Sequence, residues 1–190
     1  MRLVLATRNA HKARELGELL PGHTIVPLSG DVVLPPETGS TFAENALGKA
    51  RAAAAATGAA AIADDSGICV AALDGEPGVR SARLAGEDAT DADNLQLLLG
   101  RVPDGGALEY VCVIAFVDAT GDREETFEGR CAGVMTTAPR GDGGFGYDPA
   151  FVPVDDPSGR TMAELSAAEK DAISHRGRAA RALLAWLTTH

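Results

Sequence analysis

The sequence predicts an α/β fold: a mixed central sheet flanked by helices, arranged as two lobes with an active-site cleft between them. Three observations carry that reading. From Leu3 to Ala63, short apolar runs alternate with segments of helical period in the order β-α-β-α-β. Two β-rich runs, 110–117 and 124–135, follow with a polar connector that suits an antiparallel hairpin. Helical segments then close the chain. At 190 residues the chain is long enough to bury a substantial core, and the expectation is one domain spanning 1–190.

The elements follow in order. Leu3 to Ala6 is a first apolar strand, and Thr7-Arg8-Asn9 a polar loop after it. Ala13, Leu16, Leu19 and Leu20 recur at helical spacing as far as Pro21-Gly22. Thr24 to Leu28 reads as a second strand, and residues 29–40, rich in Gly, Pro and Ser, as a loop. Thr41 to Thr57 is a strong helix: Thr41 and Glu44 match a capping box, Ala52 to Ala56 favour helix, and Gly58 suits its end. Ala59 to Ala63 reads as a buried strand ending in Asp64-Asp65-Ser66-Gly67, with a separate strand from Ile68 to Leu73. Residues 74–90 form a Gly- and Pro-bearing loop, and Thr90 to Leu99 a short helix with Thr90 and Asp93 as a second capping pair. Ala150 to Val154 is a last strand; Ser166 to Ala172 and Ser174 to Leu187 are the closing helices.

Composition excludes several function classes. No apolar run approaches the ~20 residues of a membrane helix, and the N-terminal stretch lacks the pattern of a signal peptide; a cytoplasmic location is the expectation. A net charge of −10 argues against a basic face for long nucleic acid, and 4% aromatics against a stacking platform for single strands. Cys69, Cys112 and Cys131 are widely spaced without metal-ligand spacing, and read as free thiols packed like small hydrophobes.

Five segments carry chemistry. Thr7-Arg8-Asn9-Ala10-His11-Lys12 delivers donors and a cation to a helix N-terminus, where an anion is favoured; plain capping by Thr7 or Asn9 is the alternative. Glu44 to Lys49 places a lysine mid-helix among alanines, where it is either a solvated lysine or a ligand cation. Asp64 and Asp65 are adjacent carboxylates that repel unless a cation joins them; they suit magnesium and proton abstraction from water, or else two turn aspartates. Gly143-Gly144-Phe145-Gly146-Tyr147-Asp148-Pro149 pairs permissive glycines with a stacking ring. Gly141, Gly143 and Gly146 also match a dinucleotide fingerprint, but Pro149 blocks the helix that fingerprint requires. In Lys170-Asp171-Ala172-Ile173-Ser174-His175-Arg176, two basic residues stand at a helix start, where cations are disfavoured without a partner anion. A P-loop signature is absent.

Taken together and in this order, the segments resemble the inosine triphosphate pyrophosphatase family, and within it the bacterial dITP/XTP pyrophosphatases. Glu37-Thr38-Gly39 and Gly86-Glu87-Asp88-Ala89-Thr90 belong to the same set. The resemblance implies an elongated mixed sheet, a homodimer and a purine nucleoside triphosphate substrate. It implies that Thr7, Asn9 and Lys12 hold the triphosphate with Arg8, Ala10 and His11 beside them, and that Lys49 is a second phosphate cation. Glu37 and Asp65 match the magnesium ligands, Asp65 also the acceptor of the water proton, and Asp64 lies beside the metal. Ser66 touches the nucleotide; Phe145, Gly146, Tyr147, Asp148, Lys170, His175 and Arg176 form the base and sugar pocket. Lys170 and Arg176 offer only donors there, which suits a 6-oxo purine and mismatches the 6-amino group of adenine. The family loop reads Thr-Gly-Asn or Ser-Asn, so Arg8 departs from it; arginine is strained there if the position needs positive φ, and otherwise points outward or adds a phosphate contact. The rival readings are a pyrophosphatase for modified pyrimidine nucleotides and a nucleotide sensor without turnover.

Overall fold

The computed structural model describes residues 1–189. Six strands form a mixed sheet in the order β2-β1-β3-β4-β5-β6: β1 (Arg2–Leu5), β2 (Thr24–Pro27), β3 (Ala61–Val70), β4 (Ala107–Val117), β5 (Glu124–Met135) and β6 (Phe151–Pro153). β1 is parallel to both β2 and β3, whereas β5 and β6 are antiparallel. The helices are α1 (Ala10–Leu19), α2 (Phe42–Thr57), α3 (Asp91–Leu99), α4 (Ala167–Ile173) and α5 (His175–Leu187). The expected α/β class and mixed sheet are what the chain adopts.

The chain divides into two compact units. The first comprises Met1–Asp65, Cys112–Gly129 and the chain from Arg176 onward; the second comprises Ser66–Val111 and Arg130–His175. In the first, strand alternation sorts the core into two layers. Leu3, Leu5, Ile62, Cys112, Ile114 and Phe116 pack against Leu16 of α1, Leu20 just after it, and Ala179, Ala180 and Leu183 of α5. Val4, Ala6, Ala61, Ala63, Val113 and Ala115 pack against Ala46, Ala50, Ala53 and Ala54 of α2. The second unit has its own core, built from Ile68, Val70, Leu98, Tyr110, Phe151, Met162 and their neighbours.

Local signals explain most element ends. Thr41 and Glu44 cap each other reciprocally, and Gly58 ends α2 in the left-handed region at φ +60°. Thr90–Asp93 and Ser166–Glu169 form the same box on α3 and α4. Between β4 and β5, Asp118 Oδ1 accepts the backbone N–H groups of Thr120, Gly121 and Asp122 and so holds the turn. Within the 74–90 loop, Gly78–Arg83 forms a 3₁₀ segment that sequence patterning did not indicate.

One expectation is corrected. Asp64-Asp65-Ser66-Gly67 is not a turn separating two strands but the middle of the single strand β3. Adjacent aspartates break strands when their charges go unmet; here cations and an amide meet them, as described below.

The cysteines are free; Cys112 and Cys131 are buried and Cys69 is partly exposed. Burial pushes the Cys112 thiol up to about 12, against the opposing pull of Arg176. Since the thiolate is the nucleophile, native protein at pH 8 should leave Cys112 unmodified by iodoacetamide while denatured protein takes up three adducts, as intact mass will show. Native modification of Cys112 would contradict this packing.

Candidate functional site

The first unit gathers a buried cluster of opposite charges. α2 presents Asn45 and Lys49 one turn apart on the face that also carries Ala46, Ala50 and Ala53. Asn45 Nδ2 donates to Asp65 Oδ2 at 2.9 Å. The Lys49 ammonium donates to the Asp64 carbonyl at 2.7 Å, pairs closely with Glu37, and lies 3.9 Å from Asp65 Oδ1. α1 brings Lys12 to 3.1 Å from Asp64 Oδ2. The start of α5 brings Arg176, 1% exposed, to the same oxygen at 3.1 Å through Nη2, while its Nη1 donates to Glu15 at 2.6 Å. The basic residue at a helix start thus has its anions, Asp64 and Glu15.

The two neighbouring aspartates are driven in opposite directions. Burial alone would raise Asp64, but Lys12, Arg176 and Lys49 outweigh it and hold the carboxyl well below its ordinary value. For Asp65 burial wins: Lys49 and Asn45 oppose it, Glu37 reinforces it, and the carboxyl is raised. Lys49 is raised, since Asp64, Asp65 and Glu37 together overcome its burial. One carboxylate is therefore held ionised and the other is the more basic, the division of labour expected when one group carries charge and its neighbour accepts a proton.

The donor set fits a hard divalent cation. Glu37 and Asp65 offer carboxylate oxygens, and Asp64 Oδ1 is buried and accepts no hydrogen bond among the described residues. Also among the described residues, no group of three or more His, Cys, Asp or Glu side chains is placed to hold a metal ion by itself.

The loop before α1 is largely occupied with its own structure. Asn9 caps α1, its Oδ1 accepting from the His11 and Lys12 amides at 2.9 and 3.1 Å, and Thr7 Oγ1 accepts from the Asn9 amide at 3.1 Å. Ala10 and His11 open the helix, with His11 Nδ1 3.4 Å from Arg14. Arg8 carries no positive φ, so its replacement of glycine is not strained. Its guanidinium is turned onto backbone carbonyls of the 28–32 loop, donating to Ser29 at 3.2 Å and also to Val32.

The second unit holds the glycine-rich segment. Asp148, 3% exposed, accepts from the Phe145 amide at 3.0 Å and from Lys170 at 2.8 Å on one oxygen, and from the Tyr110 hydroxyl at 3.1 Å on the other. The Lys170 ammonium also lies 5.1 Å from the Phe145 ring centroid. Gly144 is required for this arrangement: its φ is +70°, and a Cβ there would stand 2.1 Å from Asp148 Oδ2. The Gly146 amide donates to Asp91 at 2.9 Å. Tyr147 is buried and its hydroxyl donates to the Ser81 carbonyl at 2.6 Å, so this side chain braces the segment from beneath. His175 stacks on Tyr110, with centroids 4.6 Å apart. Ser66 is partly exposed in β3, directly after Asp65.

The sequence-predicted residues therefore fall into two groups: Lys12, Glu37, Lys49, Asp64, Asp65 and Arg176 in the first unit, and Phe145, Asp148, Lys170 and His175 in the second. Arg176, expected with the base-pocket residues, is instead paired with the carboxylates. Glu15 and Tyr110 stand outside the segments singled out in the sequence, and Asn45 lies within the Glu44–Lys49 segment without an assigned role. Asn45, four residues before Lys49, was open to inference from helical spacing.

The chain is similar to known proteins along nearly its whole length. Residues 3–186 match the model of the Ham1 family. The chain is 52% identical to a dITP/XTP pyrophosphatase of Mycolicibacterium paratuberculosis, over 98% of this chain and 96% of that one. It is 53% identical to a dITP/XTP pyrophosphatase of Symbiobacterium thermophilum, over 94% of this chain and 90% of that one. The solved structure of a HAM1 protein from Coxiella burnetii superposes with a TM-score of 0.89 at 42% identity, covering all of both chains. With whole-length identity at this level and the same fold, the chain belongs to the Ham1 family.

Proposed function

We propose that this chain is a nucleoside triphosphate pyrophosphatase that hydrolyses non-standard purine nucleotides, dITP, ITP and XTP, to the monophosphate and pyrophosphate. The observation that carries the reading is the buried cluster in which Lys12 and Lys49 stand against Asp64, Asp65 and Glu37. The names of its Ham1 relatives, dITP/XTP pyrophosphatases, support the substrate class.

Glu37 and Asp65 would hold magnesium, with Asp64 beside them. When bound, the ion supplies charge neutralisation on the phosphate oxygens and a more acidic water. The protein's own residues do the rest. Lys12 and Lys49 exchange part of their carboxylate pairing for triphosphate oxygens and neutralise the departing pyrophosphate. Asp65, the more basic carboxylate, accepts the proton of the water that attacks the α-phosphorus. Asp64 stays ionised and keeps Lys12 in place. Phe145 stacks on the base, and Lys170, oriented by Asp148, donates to a 6-oxo group. An ammonium has no acceptor for a 6-amino group, so adenine leaves donors facing donors, at a cost of about 1–3 kcal/mol. Thr7 and Asn9 contribute chiefly by shaping the turn into α1.

A homodimer belongs to the same reading by resemblance, and a single catalytic domain and a cytoplasmic location are proposed with it from chain length and the N-terminal pattern. The test is pyrophosphate release from dITP with magnesium, with dATP and a modified pyrimidine triphosphate as controls. Turnover should vanish in excess chelator and return with added magnesium. Full activity in chelator would sink the metal assignment, and preference for the pyrimidine would sink the substrate class.

A further inference from the structure

Tyr110 on β4 touches two members of the second-unit group at once. Its ring is stacked on Phe151 (centroids 4.3 Å, planes at 27°) and on His175 (4.6 Å, 14°). Its hydroxyl donates to Asp148 Oδ1 at 3.1 Å, while Asp148 Oδ2 accepts from Lys170 and from the Phe145 amide. The residue is 6% exposed, so the phenol is buried against these partners.

We propose that Tyr110 is a positioning residue for base discrimination, its hydroxyl fixing the Asp148 carboxylate and its ring fixing the plane of His175. The proposal rests on the reading of this group as the base site. A carboxylate's terminal torsion is soft and roughly two-fold. Asp148 keeps one orientation because donors hold both of its oxygens. Lys170 is a flexible stem whose ammonium lies where its partner anion puts it. Remove the Tyr110 hydroxyl, and Oδ1 becomes a buried acceptor without that donor. The carboxylate then turns toward its remaining donors and Lys170 moves with it. Discrimination between a 6-oxo and a 6-amino group depends on where that ammonium stands, whereas the phosphate chemistry depends on residues of the other unit. The hydroxyl therefore bears on KM and selectivity and leaves the chemical step alone.

Tyr110→Phe deletes the hydroxyl and keeps the ring; Tyr110→Leu deletes both. Tyr110→Phe should raise KM for dITP about 3–10-fold with kcat within about twofold, and narrow the dITP/dATP ratio of kcat/KM by a similar factor. A second readout does not depend on the substrate: acylation of Lys170 by an amine-reactive ester, followed by peptide mass, should quicken several-fold in Tyr110→Phe. Tyr110→Leu should show both effects more strongly if it folds. The proposal is overturned if Tyr110→Phe keeps the parent's KM and selectivity, whether or not its melting temperature falls or Lys170 labelling changes. If the parent enzyme releases no pyrophosphate from dITP, the functional reading fails instead, and Lys170 labelling still decides whether Tyr110 holds Asp148 and its lysine.

Discussion

Arg176→Ala is expected to destabilise the protein by about 3–5 kcal/mol, the usual cost of leaving a buried charge without its partner. The guanidinium is fully buried, and it is shared between Asp64 and Glu15. Its loss leaves Asp64, itself 1% exposed, with Lys12 in contact and Lys49 nearby as its counter-charges. In a chain of this size that corresponds to a fall in melting temperature of roughly 6–20 °C. Read from its place in the sequence, Arg176 belonged with the base pocket, and its loss would narrow the dITP/dATP ratio by about 10–100-fold. Its pairing predicts otherwise: kcat/KM for the two nucleotides should fall together, with the ratio changed by less than about threefold. Arg176→Lys should recover part of the stability, since it restores the charge without the two-sided fork. Melting curves and paired kinetics for both variants decide the matter, and a narrowed ratio at unchanged stability would return Arg176 to the base.

Asp65→Asn is expected to lower kcat by about 10²–10⁴-fold, the typical worth of a general base, with further loss from the missing metal charge. The fold should tolerate the change, because the amide is nearly isosteric with the carboxylate. Stability should not fall. Burial raises Asp65 above its ordinary value, so folding penalises its ionised form relative to the unfolded chain. A neutral side chain relieves that penalty, as catalytic groups commonly trade stability for function. Activity within about tenfold of the parent would remove Asp65 from the base role.

How much of this was legible in the sequence depended on how local each signal was. The capping boxes at Thr41 and Thr90 act within four residues, and those helices begin where they predict. The first strand was equally plain, since Leu3-Val4-Leu5-Ala6 is a continuous apolar run of the kind a fully buried strand shows. The Asp64–Gly67 run misled because its local chemistry is that of a turn. What keeps it extended comes from Lys12, Asn45, Lys49 and Arg176, which lie far from it along the chain. Glu15 was invisible for the same reason: its partner Arg176 is 161 positions away. Tyr110 read as an ordinary strand aromatic, and only its partner Asp148, 38 positions on, gives its hydroxyl a role. Arg8 was noticed as a departure, but the carbonyls that receive it lie in a loop 20 to 24 positions later.

The central claim is that water attacks the α-phosphorus, so the most direct measurement is the fate of oxygen from labelled water. The protein should be turned over on dITP with magnesium in ¹⁸O-water and the products resolved by mass. Attack at the α-phosphorus yields dIMP and pyrophosphate in equal amounts, with the label in dIMP and none above background in pyrophosphate. Release of dIDP and orthophosphate, or label in the pyrophosphate, would contradict it.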